Sequence, residues 1–283
     1  MKTWAAGDIV ANGIHQHYYR TGGERPALVL LHGAGDAGLC WTPIAEALAR
    51  DYDVVMPDAR GHGLTESPED GYGAGDRAAD VAALIRELDL GRPIVTGHSM
   101  GAMTALSLGA DYPDLVRALI LEDPVFRLES HGPVAEEERQ CWVDRSRHEL
   151  AEMKSLGRDG IVARQREENP TWPEGDYGPW ADARLQGSGA YIGKVRFPET
   201  PGWRELVERL RVPTLLVTAD TEHGAIVSPE AAAEAERLNP LLQAVHITGA
   251  GHNIRREQYD AYLDVVRDFL GSLASRSAVE TGK

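Results

Sequence analysis

Cysteine is scarce: the 283 residues include only Cys40 and Cys141. Two cysteines so far apart make neither a disulfide framework nor a zinc-ligand spacing, and both are expected to be buried free thiols. Basic charge is scarce as well, with 29 Lys and Arg against 44 Asp and Glu and a net charge of −15. No Lys/Arg cluster or basic helix stands out, so the chain repels phosphate backbones and anionic lipid at long range. Neither nucleic acid nor membrane is an expected partner, and small neutral molecules are favoured as ligands, although a local pocket can override a global field. Long apolar runs are missing too. No segment approaches the ~20 residues of a membrane span, and Gly7, Asp8 and Asn12 interrupt any signal-peptide-like lead. A cytoplasmic protein is expected.

What is present is an ordinary globular composition, 42% hydrophobic and 26% charged, with enough apolar mass for a sizeable core. The length exceeds the usual single domain of roughly 100 to 200 residues, so one large α/β domain or a core carrying an inserted module fits best. Ile14 to Arg20 reads as a strand. Ala27-Leu28-Val29-Leu30-Leu31 is a continuous apolar run bounded by Pro26 and His32-Gly33, as in a strand buried on both faces. Further strands are expected at Tyr52 to Met56, Pro93 to Gly97, Val116 to Leu121, Pro213 to Thr218 and Gln243 to Ile247. Helices are expected at Ile44 to Arg50, Asp76 to Leu88, Ser99 to Ala110, Pro229 to Leu238 and Ile254 to Leu270. This alternation predicts an α/β fold, a doubly wound and mostly parallel sheet covered on both faces.

The rhythm breaks between Pro124 and about Trp203, where polar helical stretches give way to a passage rich in Pro, Gly and Trp. The expected organisation is a core of residues 1–124 and 204–273, a helical lid inserted at 125–203, and a frayed tail at 274–283. The insertion holds Trp142, Trp172, Trp180 and Trp203. These either fill the insertion's own core or line an apolar pocket between insertion and sheet.

Chemistry concentrates at Gly97-His98-Ser99-Met100-Gly101, a G-x-S-x-G run placed between a predicted strand and a predicted helix. The glycines allow a sharp turn that holds Ser99 in a strained conformation with its hydroxyl exposed. The N–H of Met100, at the helix start, is a ready donor to a developing oxyanion.

From here the chain resembles the α/β-hydrolase superfamily along nearly its whole length, more specifically its lidded serine esterases and lactonases. Four motifs stand in the family's order: His32-Gly33-Ala34-Gly35, Asp58-Ala59-Arg60-Gly61-His62-Gly63, the run around Ser99, and Gly249-Ala250-Gly251-His252. The resemblance implies an eight-stranded sheet, a lid after the sixth strand, and a Ser–acid–His triad. It implies His252 as general base, since serine needs an imidazole to take its proton, and Ala34 beside Met100 as the second oxyanion donor. The acid stays open. Asp123, after the sixth predicted strand, matches an alternative acid position of the superfamily and is preferred, because a carboxylate at a buried strand exit would otherwise be a costly unpaired charge. Glu222 and Asp220, after the seventh, are the alternatives; the family's usual Gly and Asp there are replaced by Ala219 and Glu222. Gly33, Trp41, His98, Trp142 and Trp180 are candidate pocket residues, while Asp58 and Arg60 are expected to brace their own loop.

The implied activity is cleavage of a carboxylic ester or lactone of a small, largely apolar molecule through an acyl-enzyme, with neither metal nor organic cofactor. A carbon–carbon bond hydrolase with the same triad is the nearest alternative, and a non-catalytic small-molecule receptor of the same fold is the next.

Overall fold

The computed structural model describes residues 4–127, 136–194 and 202–281. Its eight strands are β1 Ala5–Ala11, β2 Ile14–Arg20, β3 Ala27–Leu31, β4 Asp53–Pro57, β5 Ile94–His98, β6 Ala118–Glu122, β7 Thr214–Ala219 and β8 Leu242–Ile247. They form one sheet in the order β1-β2-β4-β3-β5-β6-β7-β8. Only the β1–β2 and β2–β4 pairings are antiparallel; β4 to β8 run parallel across the sheet. The register sets Leu31 beside Gly97 and His98 beside Glu122, so the loops leaving β3, β5 and β6 emerge together at the carboxyl edge. Ligands of open α/β sheets bind at this edge.

The helices are α1 Thr42–Leu48, α2 Ala74–Glu87, α3 Met100–Asp111, α4 Glu136–Ser155, α5 Gly157–Glu168, α6 Glu174–Gln186, α7 Trp203–Arg209, α8 Pro229–Leu238, α9 Ile254–Glu257 and α10 Tyr259–Thr281. Strand side chains alternate between two cores. Val29 and Leu31 of β3 pack with α2, α3, α7 and α8, whereas Leu28 and Leu30 pack with α1 and α10 on the opposite face. Burial on both faces explains why these strands are apolar throughout.

The helices α4, α5 and α6 fall between β6 and β7 in the chain. Ile161, Trp172, Tyr177 and Trp180 form a separate cluster with Ala37 and Cys40 of the loop after β3. The insertion thus sits against the edge where the loops converge. Parts of the expected lid, residues 128–135 and 195–201, lie outside the described residues.

Several expectations change. Strand β1, with Gly7 and Asp8 inside it, escapes a reading based on apolar runs because its pattern is that of a sheet edge. The last expected helix is split at Gln258 into α9 and α10. Helix α10 runs on to Thr281, through most of the tail expected at 274–283; residues 282 and 283 lie outside the described residues. Cys40 is buried as expected, but Cys141 is exposed on α4, on a helix with little apolar surface to bury it.

Candidate active site

Ser99 sits between β5 and α3 at φ 51° and ψ −111°, one of four described non-glycine residues with positive φ. The flanking glycines are required by close approach. A Cβ on Gly97 would fall 2.2 Å from the carbonyl oxygen of Gly101, and one on Gly101 would fall 2.2 Å from that of Leu31. The turn is tied across the sheet by the Ser99 N–H, which donates to the Glu122 carbonyl at 2.9 Å. Such strain persists only where the surroundings over-determine it.

Asp123, at the exit of β6, also has positive φ, 41°. It is fully buried. Its carboxylate accepts from the amides of Ile226 and Val227 at 2.9 to 3.0 Å and from Nδ1 of His252 at 2.6 Å. A carboxylate accepts only, so Nδ1 donates in this bond, the tautomer in which a neutral imidazole has its lone pair at Nε2. The His252 side chain is 31% exposed. Its loop is fixed at both ends: Nε2 of His98 donates to the His252 carbonyl at 2.8 Å, and Glu257 accepts from the amides of Gly251 and Asn253. The His98 and His252 rings lie 4.7 Å apart, which brings the base loop to the residue preceding Ser99. No hydrogen bond joins Ser99 Oγ to His252 Nε2. Catalytic hydrogen bonds are commonly loose until substrate arrives.

The loop after β3 closes the third side. A Cβ on Gly33 would fall 2.7 Å from His98 Nδ1 and 3.6 Å from Ser99 Cβ, so the backbone lies against the serine turn. His32 braces this loop, donating from Nδ1 to the Gly33 carbonyl at 2.8 Å and accepting from the Ala59 amide at Nε2 at 2.9 Å. Burial holds His32 and His98 below the ordinary histidine range, and His62 down to about 3. All three are therefore neutral braces. The amides of Ala34 and Met100 donate to no acceptor among the described residues. This geometry suits acyl transfer: a strained hydroxyl, an imidazole oriented by a buried carboxylate, and two unspent backbone donors.

A family model for the alpha/beta hydrolase family matches residues 28–265. The chain belongs to that family. It is similar to an N-formylmaleamate deformylase of Pseudomonas putida, 30% identical over 94% of this chain and 96% of that protein. It is also similar to a 2-(acetamidomethylene)succinate hydrolase of Mesorhizobium japonicum, 30% identical over 89% of this chain and 90% of that protein. Among solved structures, an N-formylmaleamic acid deformylase from Pseudomonas putida S16 superposes with a TM-score of 0.74 at 26% identity, covering 93% of this chain and all of that one. The chain is a hydrolase of the α/β fold.

The remaining predicted residues are distributed unevenly around this hydrolase site. Of the alternative acids, Glu222 is exposed, and Asp220 accepts instead from His246 Nε2 at 2.8 Å and the Gly249 amide at 2.6 Å. Neither reaches His252. Gly33 and His98 lie at the serine turn. Trp41 does not wall a pocket: it is fully buried in the core on the α1 and α10 face, under the guanidinium of Arg255 at 4.2 Å. Its indole faces that core because the short turn before α1 folds it inward. Trp142 is exposed on α4, whereas Trp180 is buried against Trp172 and beneath Arg184. Asp58 and Arg60 brace their loop as expected, Asp58 accepting from the amides of Gly38 and Leu64 and Arg60 pairing with Asp80 at 2.6 Å.

Sequence reading missed a buried ionic cluster directly beneath the site. Arg255 contacts Glu122 at 3.1 Å and Asp36 at 3.4 Å; Arg256 contacts Asp36 at 2.9 Å and Asp176 at 3.3 Å. Burial raises the Asp36 carboxyl, but the three arginines Arg256, Arg184 and Arg255 outweigh it and hold the group below the usual carboxylate range. These residues couple the loop after β3, the end of β6 and helix α9 to α6. The only available signal was placement, with Glu122 one residue before Asp123 and Arg255-Arg256 just after His252.

Proposed function

We propose that the chain is a serine hydrolase that cleaves a small amide through an acyl-enzyme, with Ser99 as nucleophile, His252 as base and acid, and Asp123 as the carboxylate that orients it. The observation carrying this reading is the 2.6 Å bond between buried Asp123 and His252 Nδ1, beside a strained serine. Ser99 Oγ attacks the carbonyl carbon as His252 Nε2 takes its proton. The oxyanion is held by the Ala34 and Met100 amides, and the proton passes to the leaving nitrogen as the C–N bond breaks. Water, deprotonated by the same imidazole, then releases the acid. Helices α4 to α6 act as the lid that encloses the substrate.

Amides come before the esters and lactones expected from sequence because the two relatives at 30% identity are named for amide substrates, whereas the relative named an esterase is 28% identical over 89% of this chain. Esters remain substrates of the same chemistry, since their leaving groups ask less of the general acid. The test is fluorophosphonate labelling of wild type and Ser99→Ala, followed by turnover of N-formylmaleamate and p-nitrophenyl butyrate. Labelling confined to wild type and turnover lost in the variant are expected. Undiminished turnover by Ser99→Ala removes the serine from the mechanism; tight binding of either compound without turnover makes the protein a receptor.

A further inference from the structure

Arg184, on α6, lies directly on the loop that carries the Ala34 amide. A Cβ on Gly35 would fall 1.9 Å from Arg184 Nη1 and 3.1 Å from the Tyr191 hydroxyl oxygen, so both polar groups converge on this glycine. The guanidinium stacks on the Trp180 ring at 4.6 Å, which fixes its plane, and its side chain is 22% exposed. Its sole ion-pair partner among the described residues is Asp36 at 3.8 Å, and that carboxylate is already engaged by Arg256 at 2.9 Å. Arg184 donates no hydrogen bond to any described residue, nor does the Tyr191 hydroxyl, although the Tyr191 ring is held against His62 at 4.1 Å. A half-buried guanidinium with five unspent donors, held rigid on an aromatic face, has the geometry that receives a carboxylate on two parallel N–H bonds.

We propose that Arg184 and Tyr191 form a carboxylate-binding subsite, and that the substrate of the site described above is an anion carrying a carboxylate close to its scissile carbonyl. This rests on the proposed hydrolase reading and specifies its substrate class. Gly33 abuts Ser99 and Gly35 abuts Arg184, and two consecutive trans peptides span at most about 7.6 Å. A carboxylate about two to four atoms from the reacting carbonyl bridges that interval. The net charge of −15 makes a local cation necessary for such a substrate, because the global field repels it. The expectation of a largely apolar substrate is thereby replaced by one that is small and anionic. Arginine also supplies specificity: a neutral analogue leaves the guanidinium unpaired.

The test uses the full chain with maleate as probe, titrated calorimetrically into wild type, Arg184→Met, Arg184→Lys and Tyr191→Phe. In parallel, the ratio of kcat/KM for 4-nitrophenyl hemisuccinate over 4-nitrophenyl butyrate is measured. Maleate is expected to bind wild type, at least tenfold more weakly to Arg184→Met and about threefold more weakly to Tyr191→Phe, with Arg184→Lys between them. The anionic-over-neutral ratio should fall at least tenfold in Arg184→Met. Should Arg184→Met fail to fold, Arg184→Lys and Tyr191→Phe decide. Maleate affinity within twofold of wild type in the folded variants, or no binding to wild type, overturns the subsite. Arg184-dependent maleate binding by a protein whose Ser99 resists fluorophosphonate sinks the hydrolase reading and leaves the subsite standing. A labelled Ser99 with Arg184-independent binding does the reverse.

Discussion

The carboxyl ends of β6 and β7 carry the same pair of side chains in different surroundings. At the end of β6, Asp123 bonds His252 at 2.6 Å; at the end of β7, Asp220 bonds His246 at 2.8 Å. Asp123 is inaccessible to solvent and takes two backbone amides besides its imidazole. Asp220 is partly open, and its histidine is 43% exposed. A hydrogen bond between carboxylate and imidazole is thus not by itself a mark of catalysis. Position decides: the β6 exit neighbours the strand that carries Ser99, and the β7 exit lies one strand further away. The chemical difference follows. In the dry setting the donors around Asp123 are fixed and unscreened, whereas water competes for Asp220.

The sharpest way to break this comparison is to remove each histidine. His252→Ala should lower kcat by roughly 10⁴ to 10⁶, and His246→Ala should leave it within about threefold; equal losses measured by steady-state kinetics would erase the distinction. Exchanging the acids comes next. Asp123→Asn, which presents the imidazole in the wrong tautomer, should cost about 10⁴ in kcat, whereas Asp220→Asn and Glu222→Gln should each cost less than about threefold. Near-normal turnover by Asp123→Asn would dismiss it as the acid.

Stability offers a third contrast, one residue upstream. Glu122→Gln strips a fully buried partner from Arg255 and should destabilise the fold by about 3 to 5 kcal/mol in urea titrations. Arg164→Ala, which breaks an exposed i,i+4 pair with Glu168, should leave the urea midpoint unchanged. A further contrast is in pH. Burial holds His32, His62 and His98 below their unfolded value near 6.5, so the unfolded chain binds protons that the fold refuses. Their contribution is complete above about pH 7 and declines as pH falls below 6.5, by up to about 1.4 kcal/mol per pH unit for each histidine. Melting temperatures should therefore be level from pH 7 to 8.5 and drop toward pH 5.5. A level curve through pH 5.5 would mean these imidazoles admit protons inside the fold.

Most of the fold was legible because strands buried on both faces leave unbroken apolar runs, as at Leu28 to Leu31 and Leu119 to Leu121. β1 was not, because an edge strand tolerates Gly7 and Asp8. At the site, the spacing around Ser99 carried its own explanation, since both glycines are forced by backbone contacts. The arginines were illegible for a different reason. Arg164 and Arg256 look alike in a sequence, yet one is solvated and the other buried between Asp36 of the loop after β3 and Asp176 of α6. Which applies is decided by contacts between residues up to 220 positions apart. Trp41 is a core residue and Trp142 a surface one, a difference their sequence does not carry because an indole serves a core or a surface equally well.

The bond from His98 to the carbonyl of His252 joins positions 154 residues apart. During synthesis the hydroxyl is made long before the imidazole that would activate it, and β8 must dock before the two can meet. A half-made polypeptide, or one clipped ahead of its final helices, carries Ser99 without the imidazole proposed to activate it.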